Sequence, residues 1–188
     1  MEDSIMDHFY TDIKGWFDYQ EIYNLMVSEA INTAHFVEVG VYHGRSAAFM
    51  AVEIANSGKK ISFDCIDSWD GRNEGGHGYN SNHMVDFIIR MKLADGYFTP
   101  ISGVTPEIAK SYANESLDFV WIDALHEYEY VKADIIAWLP KIKKGGYLGG
   151  HDYVEGHANG VEKAVKEMLP TYKIYNGELV GSWLHHKI

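Results

Sequence analysis

Val37-Glu38-Val39-Gly40-Val41-Tyr42-His43-Gly44-Arg45-Ser46 is the stretch whose reading decides the fold of this chain. A largely apolar run from His35 to Val39 ends at Gly40, Gly44 follows, and an apolar helical stretch opens at Ser46 and runs to Ile54. That order reads as strand, tight turn, helix. Glycine lets a backbone turn sharply and approach a ligand with no side chain between. The free N–H groups of the following helix then face that ligand, which is how α/β folds build a nucleotide-type site at the carboxyl end of the first strand. The dinucleotide fingerprint G-x-G-x-x-G, begun at Gly40, requires glycines where Tyr42 and Arg45 stand, so NAD or FAD is disfavoured. Glu38, two residues before the turn glycine, is an acid able to hold a cationic or hydroxyl-bearing ligand.

Working outward, strands and helices alternate. Phe17–Ala34 has helical spacing at Ile22, Leu25, Met26 and Ala30. After His35–Gly40 and the helix Ser46–Asn56 come a second strand, Ile61–Asp67, a helix from His83 to Leu93, and a third strand, Tyr97–Gly103. A short helix over Thr105–Ser111, a fourth strand, Leu117–Asp123, a helix over Tyr128–Leu139, a fifth strand, Gly146–Tyr153, and a helix over Gly160–Leu169 complete the alternation. Two last strands, Tyr172–Tyr175 and Leu179–His185, flank Asn176-Gly177, a hairpin signal. Residues 68–82 are rich in Gly, Asn, His and Asp without periodicity and read as a lid loop. The expected architecture is α/β, a doubly wound, mostly parallel seven-stranded sheet with a C-terminal antiparallel hairpin. Residues 1–188 form one domain, with 1–34 an N-terminal helical segment.

Composition narrows the function. A net charge of −11 argues against nucleic acid as a partner. Lys141, Lys143 and Lys144 are expected to close a helix before Gly145-Gly146 rather than to bind phosphate. No apolar run reaches membrane-spanning length, and the acidic, polar Met1–Asp12 is not a signal peptide. Cys65 is the single cysteine, which excludes a disulfide framework and suits a reducing cytoplasm. The aromatics Phe9, Tyr10, Trp16, Phe17 and Tyr19 could form an interface in a homo-oligomer.

E-V-G-x-x-x-G-x-S at 38–46, I-D-A-x-H-x-Y-x-x-V-x-x-D from Ile122, G-G-x-x-G-G-H-D-Y from Gly145 and G-V-x-x-A-V at 160–165 carry a resemblance. Together with the antiparallel last strand, they resemble class I S-adenosylmethionine-dependent methyltransferases, in the branch that includes sugar O-methyltransferases. The likeness runs from about Phe36 to the C-terminus. It implies transfer of a methyl group from S-adenosylmethionine to an oxygen of a small polar, sugar-like acceptor, leaving S-adenosylhomocysteine. Glu38, Gly40, Gly44 and Ser46 would then shape the methionine side of the cofactor pocket. Asp67, 27 residues after Gly40, would accept the ribose hydroxyls or else only cap the strand end. Trp69 covers the adenine or fills the lid base. Gly103 lies in a turn that contacts the adenine edge in that family, though a plain strand-to-helix turn capped by Thr105 explains it equally.

Asp123, His126, His151 and Asp152 follow the fourth and fifth strands and should meet near the first glycine turn. Asp123 counts among the cofactor-side residues for that reason. The resemblance implies a divalent cation, Mg²⁺ or Mn²⁺, on Asp123 and Asp152, with His151 in the place of a third acid. A nitrogen ligand favours Mn²⁺ over Mg²⁺. Leu125 stands where the sugar enzymes tend to carry an acidic base, so His151, or else His126, is expected to take the acceptor proton. Both remain open to the alternative of hydrogen-bonded structural histidines. H-E-x-x-H fails at Tyr130. A catalytically inactive methyltransferase-like binding module, favoured by Leu125, and an NAD-dependent enzyme are the alternatives. His77 and His83 lie in or beside the lid.

Overall fold

The computed structural model describes residues 5–70, 83–156, 159–177 and 180–188; most of the expected lid, including His77, lies outside them. Seven strands form one sheet: β1 (His35–Val39), β2 (Ser62–Asp67), β3 (Thr99–Ser102), β4 (Leu117–Ile122), β5 (Ile142–Tyr153), β6 (Lys173–Asn176) and β7 (Gly181–His186). Their spatial order is β3-β2-β1-β4-β5-β7-β6. All neighbours from β3 to β5 are parallel, and β7 runs antiparallel to both β5 and β6. The expected doubly wound sheet with a closing hairpin is the fold observed.

Among the described residues six α-helices cover the sheet: α1 (Gln20–Glu29), α2 (Arg45–Ser57), α3 (His83–Arg90), α4 (Thr105–Ile108), α5 (Tyr128–Trp138) and α6 (Gly160–Met168). Successive strand residues face opposite sides. In β4, Phe119 and Trp121 pack with α1, α2 and the N-terminal segment, while Val120 and Ile122 pack with α5 and α6. β1 is buried on both faces, as a central parallel strand must be. Left-handed glycines bracket α2, Gly44 at φ 94° and Gly58 at φ 66°. Asn159 caps α6 by accepting the Glu162 N–H.

Three expectations change. The helix expected from Phe17 starts only at Gln20, because residues 5–19 run as an irregular strap with one 3-10 turn at Tyr10–Asp12. β5 begins at Ile142, so Lys143 and Lys144 are strand residues and not a helix terminus; Lys143 pairs with Asp118 at 2.7 Å. Phe9, Phe17 and Tyr19 are buried in the chain's own core, leaving Trp16, 73% exposed, as the largely exposed member of the aromatic set. No helix among the described residues is long and apolar enough to cross a membrane.

Candidate active site

Strand register builds the site. Val39 is level with Ile66 on β2 and with Ile122 on β4, so the next residues, Gly40, Asp67 and Asp123, emerge side by side. Ile122 is level with Gly150 on β5, which brings His151 beside Asp123. Asp67 is level with Ser102, and Gly103 follows. The strand order reverses between β1 and β4, and α/β proteins bind ligands in the crevice at such a switch point. A cleft of about 1370 Å³ opens here, lined by the first turn, the ends of β2 to β5, α5 and the strap. That is more than a small cofactor alone fills.

The glycine turn is shaped by the chain itself. A Cβ on Gly40, at φ 89°, would stand 2.0 Å from the Asp123 carbonyl oxygen. A Cβ on Gly44 would stand 2.7 Å from the Phe87 ring, so Gly44 makes room for α3 and is not among the residues lining the cleft. Glu38 also lies behind the wall. It is fully buried, and Ser46, which does line the cleft, donates its hydroxyl to Glu38 Oε1. Burial pushes the Glu38 carboxyl up to about 8, against the Ser46 hydrogen bond that favours its charge. Its Oε2 and the Tyr23 hydroxyl, also buried, have no hydrogen bond of normal geometry, although each raises or lowers the other's proton affinity.

Asp67 accepts the Tyr42 N–H at 2.9 Å and the Trp69 N–H at 2.8 Å. A carboxylate offers about four lone-pair sites, so capacity for ligand hydroxyls remains. Burial raises its pKa and these backbone bonds oppose the rise. Tyr42 and Trp69 both sit at positive φ, 50° and 44°, so the carboxylate holds two strained loops together. Trp69 is buried, packs on Phe87 and donates from Nε1 to the Tyr42 carbonyl at 3.3 Å, while still lining the cleft. Gly103 lines the cleft too, and its N–H donates to the Asp67 carbonyl. Asp134 of α5, the last residue of the motif that starts at Ile122 but given no role there, is buried; its Oδ1 has no hydrogen-bond partner, and burial lifts its carboxyl to about 7.

At the ends of β4 and β5 the charged groups converge. His151 is buried, with Nε2 2.9 Å from Asp18 Oδ1 and Nδ1 3.3 Å from Asp152 Oδ2 and 4.0 Å from Asp123 Oδ2. Burial favours the neutral ring, but the Asp152 hydrogen bond and the charges of Asp123, Asp152 and Asp18 outweigh it and raise the pKa to about 9. The expectation that His151 is the base therefore needs correction: at neutral pH it carries its proton, and both nitrogens face carboxylates. Both ring nitrogens are thus engaged with carboxylates in the place expected of a metal ligand. Asp123 accepts the Tyr19 hydroxyl at 2.9 Å; burial lifts its carboxyl to about 6, with His151 pulling the other way. Asp152, at φ 59°, keeps a lowered pKa: burial would raise it, but the His151 hydrogen bond and the charges of both histidines prevail.

His126 is the accessible histidine. Its side chain is 54% exposed, with Nε2 3.1 Å from Asp152 Oδ2 and 3.9 Å from Asp123 Oδ1. Asp123, His126 and Asp152 each offer a ligand atom, all within 4.8 Å of one another. Two oxygens and one imidazole fit a divalent cation, with His126 in the place expected for His151. The strap residues Asp18 and Tyr19 were missed because they reach Asp123 and His151 across 104 and 133 residues, with no local pattern to mark them.

Comparison with known proteins agrees with this geometry. "Uncharacterized protein y4gI" of Sinorhizobium fredii (strain NBRC 101917 / NGR234) is 24% identical over 161 residues, 82% of this chain; the chain spans only 17% of that protein's length. The structure of the O-methyltransferase NovP superposes with a TM-score of 0.70 at 18% identity, covering 90% of this chain and 79% of the other. CalS11, a TDP-rhamnose 3'-O-methyltransferase of calicheamicin biosynthesis, gives 0.65 at 14% identity, covering 88% and 77%. These likenesses establish a shared fold. A family model described as a methyltransferase domain matches residues 37–153, well over half of the sequence, and the chain belongs to that methyltransferase-domain family.

Proposed function

We propose that the protein transfers the methyl group of S-adenosylmethionine to a hydroxyl oxygen of a small polar acceptor. One observation carries the reading: register sets a glycine turn and a ribose-competent carboxylate, Asp67, beside a cluster of acids and histidines in one cleft. Family membership and the shared O-methyltransferase fold support it. The carbon–sulfur bond breaks as the carbon–oxygen bond forms, and the sulfonium leaves as neutral S-adenosylhomocysteine. The activated methyl needs alignment and removal of the hydroxyl proton. His126 is placed for the second task. With Nε2–H donated to Asp152, Nδ1 keeps its lone pair for the acceptor proton. His151, held as an imidazolium, fixes Asp123 and Asp152 in place.

Asp123, His126 and Asp152 would hold a divalent cation, whose chemistry is to lower the pKa of a bound hydroxyl. Binding a cation and taking the proton are alternative uses of the His126 ring. Exhaustive chelation that leaves turnover unchanged assigns the ring to the proton; loss of turnover restored by Mn²⁺ assigns it to the ion.

Thermal shift tests the cofactor. S-adenosylhomocysteine should raise Tm in proportion to affinity and concentration, and NAD should not. Asp67→Ala should weaken its binding by about 1–3 kcal/mol, the usual cost of losing a charged acceptor for buried hydroxyls. Unchanged affinity in calorimetry would place the ribose elsewhere.

A further inference from the structure

The strap gives the cleft a wall that lies outside the matched family segment, residues 37–153. Arg45 Nη1 anchors it by donating to the Ile13 carbonyl at 2.9 Å, and the Arg45 guanidinium lies over the Tyr10 ring. The backbone of Met6 bonds the Asn56 amide through both its N–H and its carbonyl. Ile13 and Phe17 are buried, and Asp18 and Tyr19 close the far end on His151 and Asp123. Between these anchors Trp16 is turned out of the core. It lines the cleft, is 73% exposed, and stacks one face on Tyr42 with ring centres 6.4 Å apart and planes 26° apart. Holding a large indole out in water forgoes burial that would stabilise the chain. Tyr42, pinned through its N–H to Asp67, supports it from behind.

The charge of the cleft is lopsided. Among its described lining residues, carboxyl groups number eight against Lys14, Arg45 and the His151 imidazolium, which three of those carboxylates surround. The Arg45 guanidinium is directed at the strap. A phosphate or carboxylate on the acceptor, entering at the Asp18, Asp123 and Asp152 end of the cleft, meets like charge. A flat ring meets an aromatic platform, and a ring bearing an amine gains cation–π attraction as well.

We infer that Trp16 is the acceptor-binding residue and that the acceptor is a hydroxylated ring, uncharged or amine-bearing, without phosphate or carboxylate. The inference rests on the methyltransferase reading above. It makes the strap, and not the sheet edges, the element that selects the substrate.

The test uses the full chain with S-adenosylmethionine labelled in the methyl group, in buffers with and without Mn²⁺. The probes are myo-inositol, 2-deoxystreptamine, catechol, inositol 1-phosphate and UDP-glucose. Label should enter the first three and not the two phosphorylated rings. Trp16→Ala should raise KM for the labelled acceptor at least about tenfold with kcat little changed, the pattern of lost ground-state binding. Trp16→Phe should recover most of that loss, and S-adenosylhomocysteine affinity should hold in both variants. Preferential labelling of a phosphorylated ring in either buffer, or an unchanged KM in Trp16→Ala, overturns the inference. Labelling of no ring while S-adenosylhomocysteine still raises Tm also overturns it, leaving the methyltransferase reading intact. Failure of S-adenosylhomocysteine to bind removes both.

Discussion

His151 Nε2 and Asp18 Oδ1 lie 2.9 Å apart, joining the end of β5 to the strap across 133 residues of sequence. With Asp123 and Asp152 on its other side, the ring is a buried cation ringed by three carboxylates. Its folded pKa, about 9, stands above the ordinary 6.5. The resulting stability is complete below about pH 6.5 and is lost as pH rises through about 9. Asp18→Asn should destabilise the protein by about 1–3 kcal/mol at pH 6, the range for a hydrogen bond to a charged group. The difference should shrink toward pH 10, where the ring is neutral in both proteins. Urea unfolding across that range measures it; a difference independent of pH would deny the ring its charge.

Glu38 gives a slope of the same sign for a different reason. Its carboxyl is raised by burial from 4.5 to about 8, so stability falls as pH rises between those values. Glu38→Gln keeps the shape and can still accept the Ser46 hydroxyl. It should match the wild type near pH 5 and exceed it by about 1–3 kcal/mol at pH 9. A variant less stable than wild type at pH 9 would mean that the charged form is favoured inside.

Gly40→Ala and Gly58→Ala form a controlled pair. Both glycines have positive φ, but a Cβ at Gly58 meets nothing within 4 Å, whereas at Gly40 it strikes the Asp123 carbonyl. Gly58→Ala should cost about 1–2 kcal/mol, the left-handed penalty alone. Gly40→Ala should cost more than about 4 kcal/mol or prevent folding. Thermal melts of the two side by side decide it, and equal losses would remove the close approach of β1 and β4 from the account.

His126→Ala should lower turnover by roughly a hundred- to ten-thousand-fold, the usual contribution of a general base, with S-adenosylhomocysteine affinity near wild type. His151→Gln should lose stability below pH 7 along with any turnover. Kinetics paired with urea unfolding separates the two roles. Full turnover in His126→Ala without added metal would pass the proton to solvent.

Much of the frame was readable because its signals are local. The near-continuous apolar run of β4, Gly40 at the end of β1, and Asn176-Gly177 in the hairpin are such signals. Parallel pairing then brings strand ends level, which is why Asp67, Asp123 and Asp152 could be expected at one edge of the sheet. What escaped depends on who stands beside whom. His151 read as a base because Asp152 was its visible neighbour; Asp18 and Asp123, which complete its charged shell, are distant in sequence. Glu38 read as a ligand-facing acid, yet the chain turns it behind Ser46. Gly44 read as room for a ligand and proves to be room for Phe87. Residues 17–19 were drawn into the helix by the apolar spacing from Ile22 to Ala30, although ring contacts with Phe49, Trp121 and His151 hold them in the strap outside it.

The strap also sets an order of events. The partners of its far end, Asp123 and His151, lie more than a hundred residues further along the sequence. Contacts of such separation form late, after the loop between them has closed. The strap's near part rests on Arg45 and Asn56, close in sequence, but Asp18 and Tyr19 gain their partners only once β4 and β5 have joined the sheet. The far end of the cleft's wall thus waits on the assembly of the sheet through β5, and the acceptor side is finished only when both ends of the strap are seated.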